Sequence, residues 1–203
     1  MTVDASQLIY IVDDDADIRS SLLRAMRIRG YEAEGFATAA EFLESYDRDR
    51  IACLILDQGM PDMTGLELQK HLTANGYSTP IIFITGHGGI PESVQAMKGG
   101  AVDFLEKPFR QSELMDCIHS ALSLAQSMHA DNRKNRVLQE RFSRLTPRER
   151  EIVEHMISHP SEVSSKEIGR HLNISPRTVD NHRARILEKL DVCSVVELMA
   201  LTR

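Results

Sequence analysis

No apolar run in the 203-residue chain approaches the roughly 20 residues that a membrane helix requires. Its first residues, Met1-Thr2-Val3-Asp4, lack the basic start and apolar stretch of a secretory signal. Cysteine is scarce: Cys53, Cys117 and Cys193 stand far apart with no C-x-x-C spacing. These absences argue against a membrane protein, a disulfide framework and a zinc site, and a cytoplasmic protein with reduced thiols is expected. From Phe109 to Thr146 there is neither Gly nor Pro, and the last 60 or so residues hold no credible strand. What is present, 42% apolar and 27% charged residues, is ordinary for a folded globular chain.

The net charge of −6 is unevenly spread. Residues 1–130 carry 10 Lys and Arg against 19 Asp and Glu, and residues 131–203 carry 14 against 11. An acidic front and a mildly basic back suggest two domains, one attracting a cation and the other nucleic acid. Net charge alone speaks to association and not to fold, so a random surface distribution stays open at this point.

The front of the chain alternates short β-prone runs with amphipathic segments. Strands are expected at Leu8–Val12, Glu32–Phe36, Ile51–Leu56, Ile81–Ile84 and Val102–Leu105. Ile18, Leu22 and Met26 keep helical spacing after the first. Thr38-Ala39-Ala40-Glu41 and Thr64-Gly65-Leu66-Glu67 read as capping boxes, Pro91 suits a first helical turn, and Gly99-Gly100 a stop. Five βα units in a row imply an α/β fold: a doubly wound parallel sheet covered by helices on both faces. Beyond it, Leu114, Ile118, Ala121, Leu122, Ala125 and Met128 form a helical stripe, and His129–Arg136 is polar apart from Ala130. That stretch reads equally as a helical linker or a frayed connector. The expected organisation is residues 1–125, a linker over 126–142, and a small all-α domain over 143–203. Four helix starts mark the last part: Thr146–Glu149, Ser164–Glu167, Ser175-Pro176 and Ser194–Glu197. The tight Leu172–Pro176 junction fits a helix-turn-helix.

Four strands end on chemistry. The first runs into Asp13-Asp14-Asp15, the third into Asp57, the fourth into Thr85 and the fifth into Glu106-Lys107-Pro108. In an open parallel sheet those ends gather at one edge, where ligands bind. A carboxylate can accept a phosphoryl group if a divalent cation, a lysine and a hydroxyl offset the charge of the incoming anion. Any one of these residues alone reads as a helix cap, a loop carboxylate or a surface charge. Their joint placement does not.

With this pattern, the first 125 residues resemble the receiver domain of two-component response regulators. The resemblance implies a CheY-like, flavodoxin-type sheet of order 2-1-3-4-5. It assigns Asp57 as phosphoacceptor, Thr85 as switch hydroxyl, Phe104 as aromatic switch and Lys107 as the charge-stabilising lysine. Mg²⁺ is the implied cofactor, with Mn²⁺ as an in-vitro substitute. Its ligands would be Asp14, Asp57 and the Gly59 carbonyl, with Asp13 acting through water. Gly59 and His87, two residues after the acceptor and the hydroxyl, are the implied tuners of phosphate lifetime; His87 fits either shielding the phosphate or positioning water.

From Leu145 the chain resembles the LuxR-type helix-turn-helix, through Leu145–Glu151, Lys166-Glu167-Ile168, Asn173–His182 and Lys189-Leu190. With the receiver, this points to the FixJ-like subgroup. A wheel at about 100° per residue puts Val179, Ile186 and Leu190 on one face of the helix after Pro176. Arg177, Asn181, Ala184 and Glu188 lie opposite, with Asp180 and Arg185 on the flanks. Arg177, Asn181, Ala184 and Arg185 are expected to meet base edges, and Thr178, Arg183 and Lys166 phosphates. Asp180 is out of place there unless it pairs with Arg183, Arg177 or a cytosine amine. Two departures stand out. His159–Ser165 is about three residues longer than the usual connector, and Cys193-Ser194-Val195 lacks an arginine many members carry.

The resemblance implies a transcription factor with no enzymatic role beyond its own phosphorylation and dephosphorylation. A histidine kinase would phosphorylate Asp57. The receiver would pair with a second copy through residues 90–120, and the helix-turn-helix domains would bind two half-sites in the major groove. RNA polymerase is a further candidate partner, and the membrane is not one. Two alternatives remain. One is a haloacid-dehalogenase-type phosphatase using Asp13 as nucleophile, and the other a regulator that binds DNA regardless of phosphate.

Overall fold

The structure, a computed structural model, describes residues 7–86 and 89–201; His87 lies outside them. The elements of the first unit are β1 (Gln7–Val12), α1 (Ala16–Ile28), β2 (Glu32–Phe36), α2 (Ala39–Ser45), β3 (Ile51–Asp57), α3 (Gly65–Ala74), β4 (Ile81–Thr85), α4 (Ile90–Lys98) and β5 (Asp103–Glu106). The five strands form one sheet of order β2-β1-β3-β4-β5, and every pair is parallel. Because successive residues of a strand face opposite ways and both faces are covered, the central strands β1, β3 and β4 are apolar at almost every position, while the edge strands β2 and β5 are not. One face sends Tyr10, Leu54, Leu56 and Phe83 against Phe42, Leu68 and Ala96. The other sends Ile9, Ile11, Ile55, Ile82 and Ile84 against Leu22, Met26, Leu114 and Ile118. Each such side chain, fully buried, contributes about 1.5–3 kcal/mol of hydrophobic stabilisation. Cys53 and Cys117 are buried in the second of these layers, and burial pushes both thiols up to about 12, which leaves them inert.

The strand expectations hold, with small corrections at their ends. β3, β4 and β5 run on to take in Asp57, Thr85 and Glu106 themselves. Val102 falls outside β5, although its N–H already donates to Ile81 O at 2.7 Å. The box at Thr64 forms in full, with Thr64 and Glu67 each bonding the other's backbone N–H. The one at Thr38 forms only by half: Thr38 accepts from Glu41 N–H, while the Glu41 carboxylate takes the N–H of Ala37 instead.

The helix α5 (Gln111–Ser143) runs for 33 residues, about 50 Å at the helical rise. It includes the polar His129–Arg136 stretch, which answers the alternatives left by the sequence in favour of a helix. Its buried stripe stops at Ala125. Beyond this the stretch has neither Gly nor Pro to interrupt it, and near its end Phe142 packs against the core of the second unit.

The chain divides into two compact units, one ending at Asp131 and the other starting at Asn132. The second unit holds α6 (Pro147–Ser158), α7 (Ser165–Leu172), α8 (Pro176–Leu190) and α9 (Val195–Leu201). Leu145, Ile152, Val153, Met156, Ile168, Val179, Ile186, Leu190 and Leu198 form its core. The boxes at Thr146 and Ser164 are complete. At α9 the Ser194 hydroxyl takes the Glu197 N–H, but the Glu197 carboxylate accepts from Cys193, one residue earlier than expected.

Candidate functional site

At the C-terminal edge of the sheet, three predicted residues are buried: Asp13, Asp57 and Thr85. The Lys107 ammonium joins two of them, donating to Asp13 Oδ2 at 2.9 Å and Asp57 Oδ1 at 2.7 Å. The other Asp57 oxygen, Oδ2, accepts the Gly59 N–H at 2.6 Å. The other Asp13 oxygen accepts the Asp15 N–H at 2.9 Å. Asp15 itself caps α1, accepting from Asp17 and Ile18, as one sequence reading had it. Asp14 is exposed beside this group. Arg19 reaches over from α1 and donates to the backbone carbonyl of Asp13 at 2.6 Å.

One ammonium thus faces two buried carboxylates, with a third carboxylate adjacent. Burial raises the Asp13 carboxyl above the ordinary carboxylate range, and the hydrogen bond and charge of Lys107 only partly oppose it. Burial opposes the charge on Lys107, but its bonds to Asp57 and Asp13 outweigh that and hold it above the usual lysine range. The surplus negative charge and the oxygen-only donors suit a hard divalent cation such as Mg²⁺. Among the described residues no three acidic, His or Cys side chains are already gathered as a metal cage.

Thr85 closes β4 beside Asp57, and Lys107 N–H donates to its carbonyl at 2.7 Å. Phe104 is half-buried on β5, its ring 6.0 Å from that of Phe83. A Cβ at Gly59 would stand 3.5 Å from Asp57 Oδ2, so a side chain there would cover the acceptor. Sequence reasoning missed Gly65, which it used only as part of a capping box. A Cβ at Gly65 would lie 2.5 Å from the Asp57 carbonyl and 2.9 Å from the Phe83 ring. Only glycine lets the start of α3 press against the acceptor's backbone. The signal available in sequence was a glycine at the first position of a helix, where it lowers helix propensity.

In the second unit the turn before α8 is tight. Asn173 takes the left-handed conformation, and Ile174 N–H returns to Gly169 O at 2.9 Å. A Cβ at Gly169 would meet Ile174 O at 2.7 Å. Ser175 caps α8 with Pro176 behind it. Val179, Ile186 and Leu190 are fully buried, and Arg177, Asn181, Ala184, Arg185 and Glu188 are exposed opposite them. Lys166 is exposed at the start of α7. Thr178 and Arg183 are half-buried. The Thr178 hydroxyl meets that of Ser175 at 2.7 Å, and Arg183 donates to the Ser165 hydroxyl at 3.0 Å. Ser165 in turn donates to Asp180. Asp180 is therefore tied to Arg183 through Ser165, which the sequence did not predict. Lys189 donates to the buried Glu149 at 2.6 Å and pins the end of α8 to the start of α6. Burial works against the Glu149 charge, but Lys189 and the Thr146 cap overcome it and hold the carboxyl below its ordinary range.

Residues 9–119 match the family model of the response regulator receiver domain, and residues 143–202 that of the bacterial regulatory proteins of the luxR family. The response regulator protein TodT of Pseudomonas putida is 39% identical over 199 residues, covering 98% of this chain and 86% of TodT. The transcriptional regulatory protein FixJ of Bradyrhizobium diazoefficiens is 38% identical over 193 residues, covering 95% of this chain and 93% of FixJ. Among solved structures, the response regulator StyR superposes with a TM-score of 0.80 at 39% identity, covering 97% of this chain and 98% of StyR. Full-length FixJ from B. japonicum gives 0.57 at 37% identity, covering 96% and 95%.

Proposed function

Because the chain belongs to the two-component response regulators that join a receiver domain to a LuxR-type DNA-binding domain, and is a DNA-binding transcription factor of that family, we propose that Asp57 is its phosphoacceptor and α8 its base-reading helix. Membership implies a histidine kinase as phosphoryl source and DNA as target. It speaks against the phosphatase alternative, in which Asp13 would be the nucleophile. Among the described residues no helix is long and apolar enough to cross a membrane.

In this reading an Asp57 oxygen attacks phosphorus, the bond from phosphorus to the kinase histidine breaks, and an acyl phosphate forms on Asp57. The observation that carries the reading is the single ammonium shared by Asp13 and Asp57. Lys107 positions the acceptor and remains to neutralise a phosphoryl oxygen afterwards. The attacking oxygen gives up one bond, either to Lys107 or to Gly59 N–H. Asp14, Asp57 and the Gly59 carbonyl, with Asp13 through water, would hold Mg²⁺, which when bound offsets the charge of the incoming group. Thr85 then turns its hydroxyl to the phosphoryl group and Phe104 moves inward, a shift between two populations. Self-dephosphorylation ends the signal, with Gly59 leaving the acceptor open to water.

The switch is read by residues 90–120. Ile90, Val94 and Met97 on α4 are 81%, 45% and 48% exposed, an apolar strip suited to pairing two receivers. Paired receivers bring two α8 helices to two half-sites about one helical turn apart. RNA polymerase is the further partner proposed for the DNA-bound dimer. The division into a receiver over 1–125, a linker over 126–142 and a DNA-binding domain over 143–203 belongs to the same proposal. The test is Asp57→Asn in the full chain, given a small phospho-donor and Mg²⁺. Donor-dependent dimerisation and tighter DNA binding are expected to vanish; their survival in the variant refutes the mechanism.

A further inference from the structure

The second unit contains a feature that neither phosphorylation nor base reading uses. Three imidazoles stack where α6 meets α7. The His155 ring lies 4.7 Å from that of His159 at 20°, and 4.4 Å from that of His171 at 34°. His155 is the middle ring and is 5% exposed. Neither of its nitrogens has a hydrogen-bond partner of normal geometry among the described residues, although the Glu162 backbone lies close enough to act on the ring. His159 and His171 are exposed on either side of it, and His159 opens the long connector to α7. A buried polar ring so poorly partnered is costly and calls for an explanation. Among the described residues no group of His, Cys, Asp or Glu could hold a metal. The arrangement suits a neutral His155 and opposes charge on that ring.

We propose that this cluster is a proton-operated catch in the DNA-binding unit: a neutral His155 keeps α7 seated on α6, and protonation of that ring in mildly acidic conditions unseats α7 and weakens DNA binding. Seating matters because α7 carries Lys166 and Ser165, and Ser165 holds both Arg183 and Asp180 of α8. The other end of α7 is held by Arg148 of α6, which donates to Leu172 O at 2.6 Å. Burial keeps the His155 imidazole below its ordinary range, His171 and His159 push the same way, and Glu162 in the connector opposes them. On α7, Glu167 also faces His155, with Arg170 beside it. From α8 the charged contacts fall elsewhere: Lys189 meets Glu149 at the far end of α6, and Arg183 and Asp180 meet Ser165. A depressed imidazole means the unfolded chain binds the proton more readily than the folded unit. The unit is therefore unaffected above the ordinary imidazole value of about 6.5 and loses stability as pH falls below it.

The test uses the full chain and a duplex that it has selected from a random library at neutral pH. Lowering the pH from about 7.5 to about 5.8 at fixed ionic strength is expected to cost up to about fivefold in affinity, and His155→Leu to remove most of that loss. In the wild-type protein, the His155 ring proton resonance is expected to titrate below the ordinary range, with the α6 and α7 amides shifting at the same midpoint. This second measurement involves neither DNA nor the proposed base contacts, so it separates failure of the catch from failure of the DNA reading, and it decides the matter if His155→Leu does not fold. An unchanged pH profile in a folded His155→Leu variant overturns the proposal. So does an ordinary His155 midpoint without movement of α7, or a shift of all three rings on adding one equivalent of Zn²⁺ at neutral pH, which would make the cluster a metal site.

Discussion

At the sheet edge, Asp13, Asp57 and Thr85 are buried and one ammonium is shared by two carboxylates; on α8, Arg177, Asn181, Ala184 and Arg185 stand in solvent on a helix whose opposite face is core. In the proposed roles, the first site would act through charges held in a fixed, partly desolvated arrangement, where each group sets the state of the next. The second would act through exposed side chains whose spacing is fixed by the caps and core beneath. Changes in the first should be large and coupled, and they should trade stability against activity. Changes in the second should be graded, and additive wherever no hydrogen bond joins the residues.

The largest effect is expected at Lys107. Lys107→Ala leaves Asp13 and Asp57 buried together without a counter-charge, which should cost about 3 kcal/mol of receiver stability and abolish phosphotransfer. Asp13→Asn should also fail in phosphotransfer yet stabilise the fold, by about 1–2 kcal/mol. The sign follows from the raised Asp13 carboxyl. The folded state binds that proton more tightly than the unfolded chain, so wild-type stability declines as pH rises above the ordinary carboxylate value. Urea unfolding at pH 5 and pH 8 checks this. The gain in Asp13→Asn should be larger at pH 8, and a variant less stable than wild type at pH 8 would show that the site is not strained by surplus charge.

On α8 the expected effects are smaller. Asn181→Ala and Arg177→Ala should each cost about 1–3 kcal/mol in binding to a selected duplex and relax preference at one base position. Lys166→Ala should weaken binding evenly across sequences and lower the salt slope by about 1. Titrations at three salt concentrations separate the two classes. Equal losses on selected and random DNA for Asn181→Ala would remove it from the base-reading set.

The two regions were also unequally legible in the sequence. The sheet edge could be read because four strand endings place chemistry by topology alone, and β3 and β4 proved to run as far as Asp57 and Thr85 themselves. The core face of α8 could be read because 3.6-residue periodicity is local. Contacts between elements could not. Gly65 presses on Asp57 across eight residues of chain, Lys189 meets Glu149 across forty, and the His155 stack closes across sixteen. Each needs the packed fold before its partner is known. The linker was undecided for the opposite reason: the polar stretch of α5 has no buried face, so periodicity had nothing to report there.

Ser165 gives the smallest effect, and it tests whether the outer region is as independent as its exposure suggests. Its hydroxyl accepts from Arg183 and donates to Asp180, so a carboxylate on α8 is linked to a guanidinium on the same helix through a residue of α7. Ser165→Ala frees both charges. Asp180 then faces phosphate unscreened, and Arg183 gains the freedom to reach phosphate itself. The repulsion should prevail because Asp180 is exposed and Arg183 half-buried. Affinity should fall severalfold, on the order of 0.5–1 kcal/mol. Asp180→Asn in the same background should restore it, and the double-mutant cycle should return a coupling of similar size. Additive losses would mean that Ser165 acts only as part of the α7 start, and that exposed residues on α8 are as separable as the contrast with the sheet edge implies.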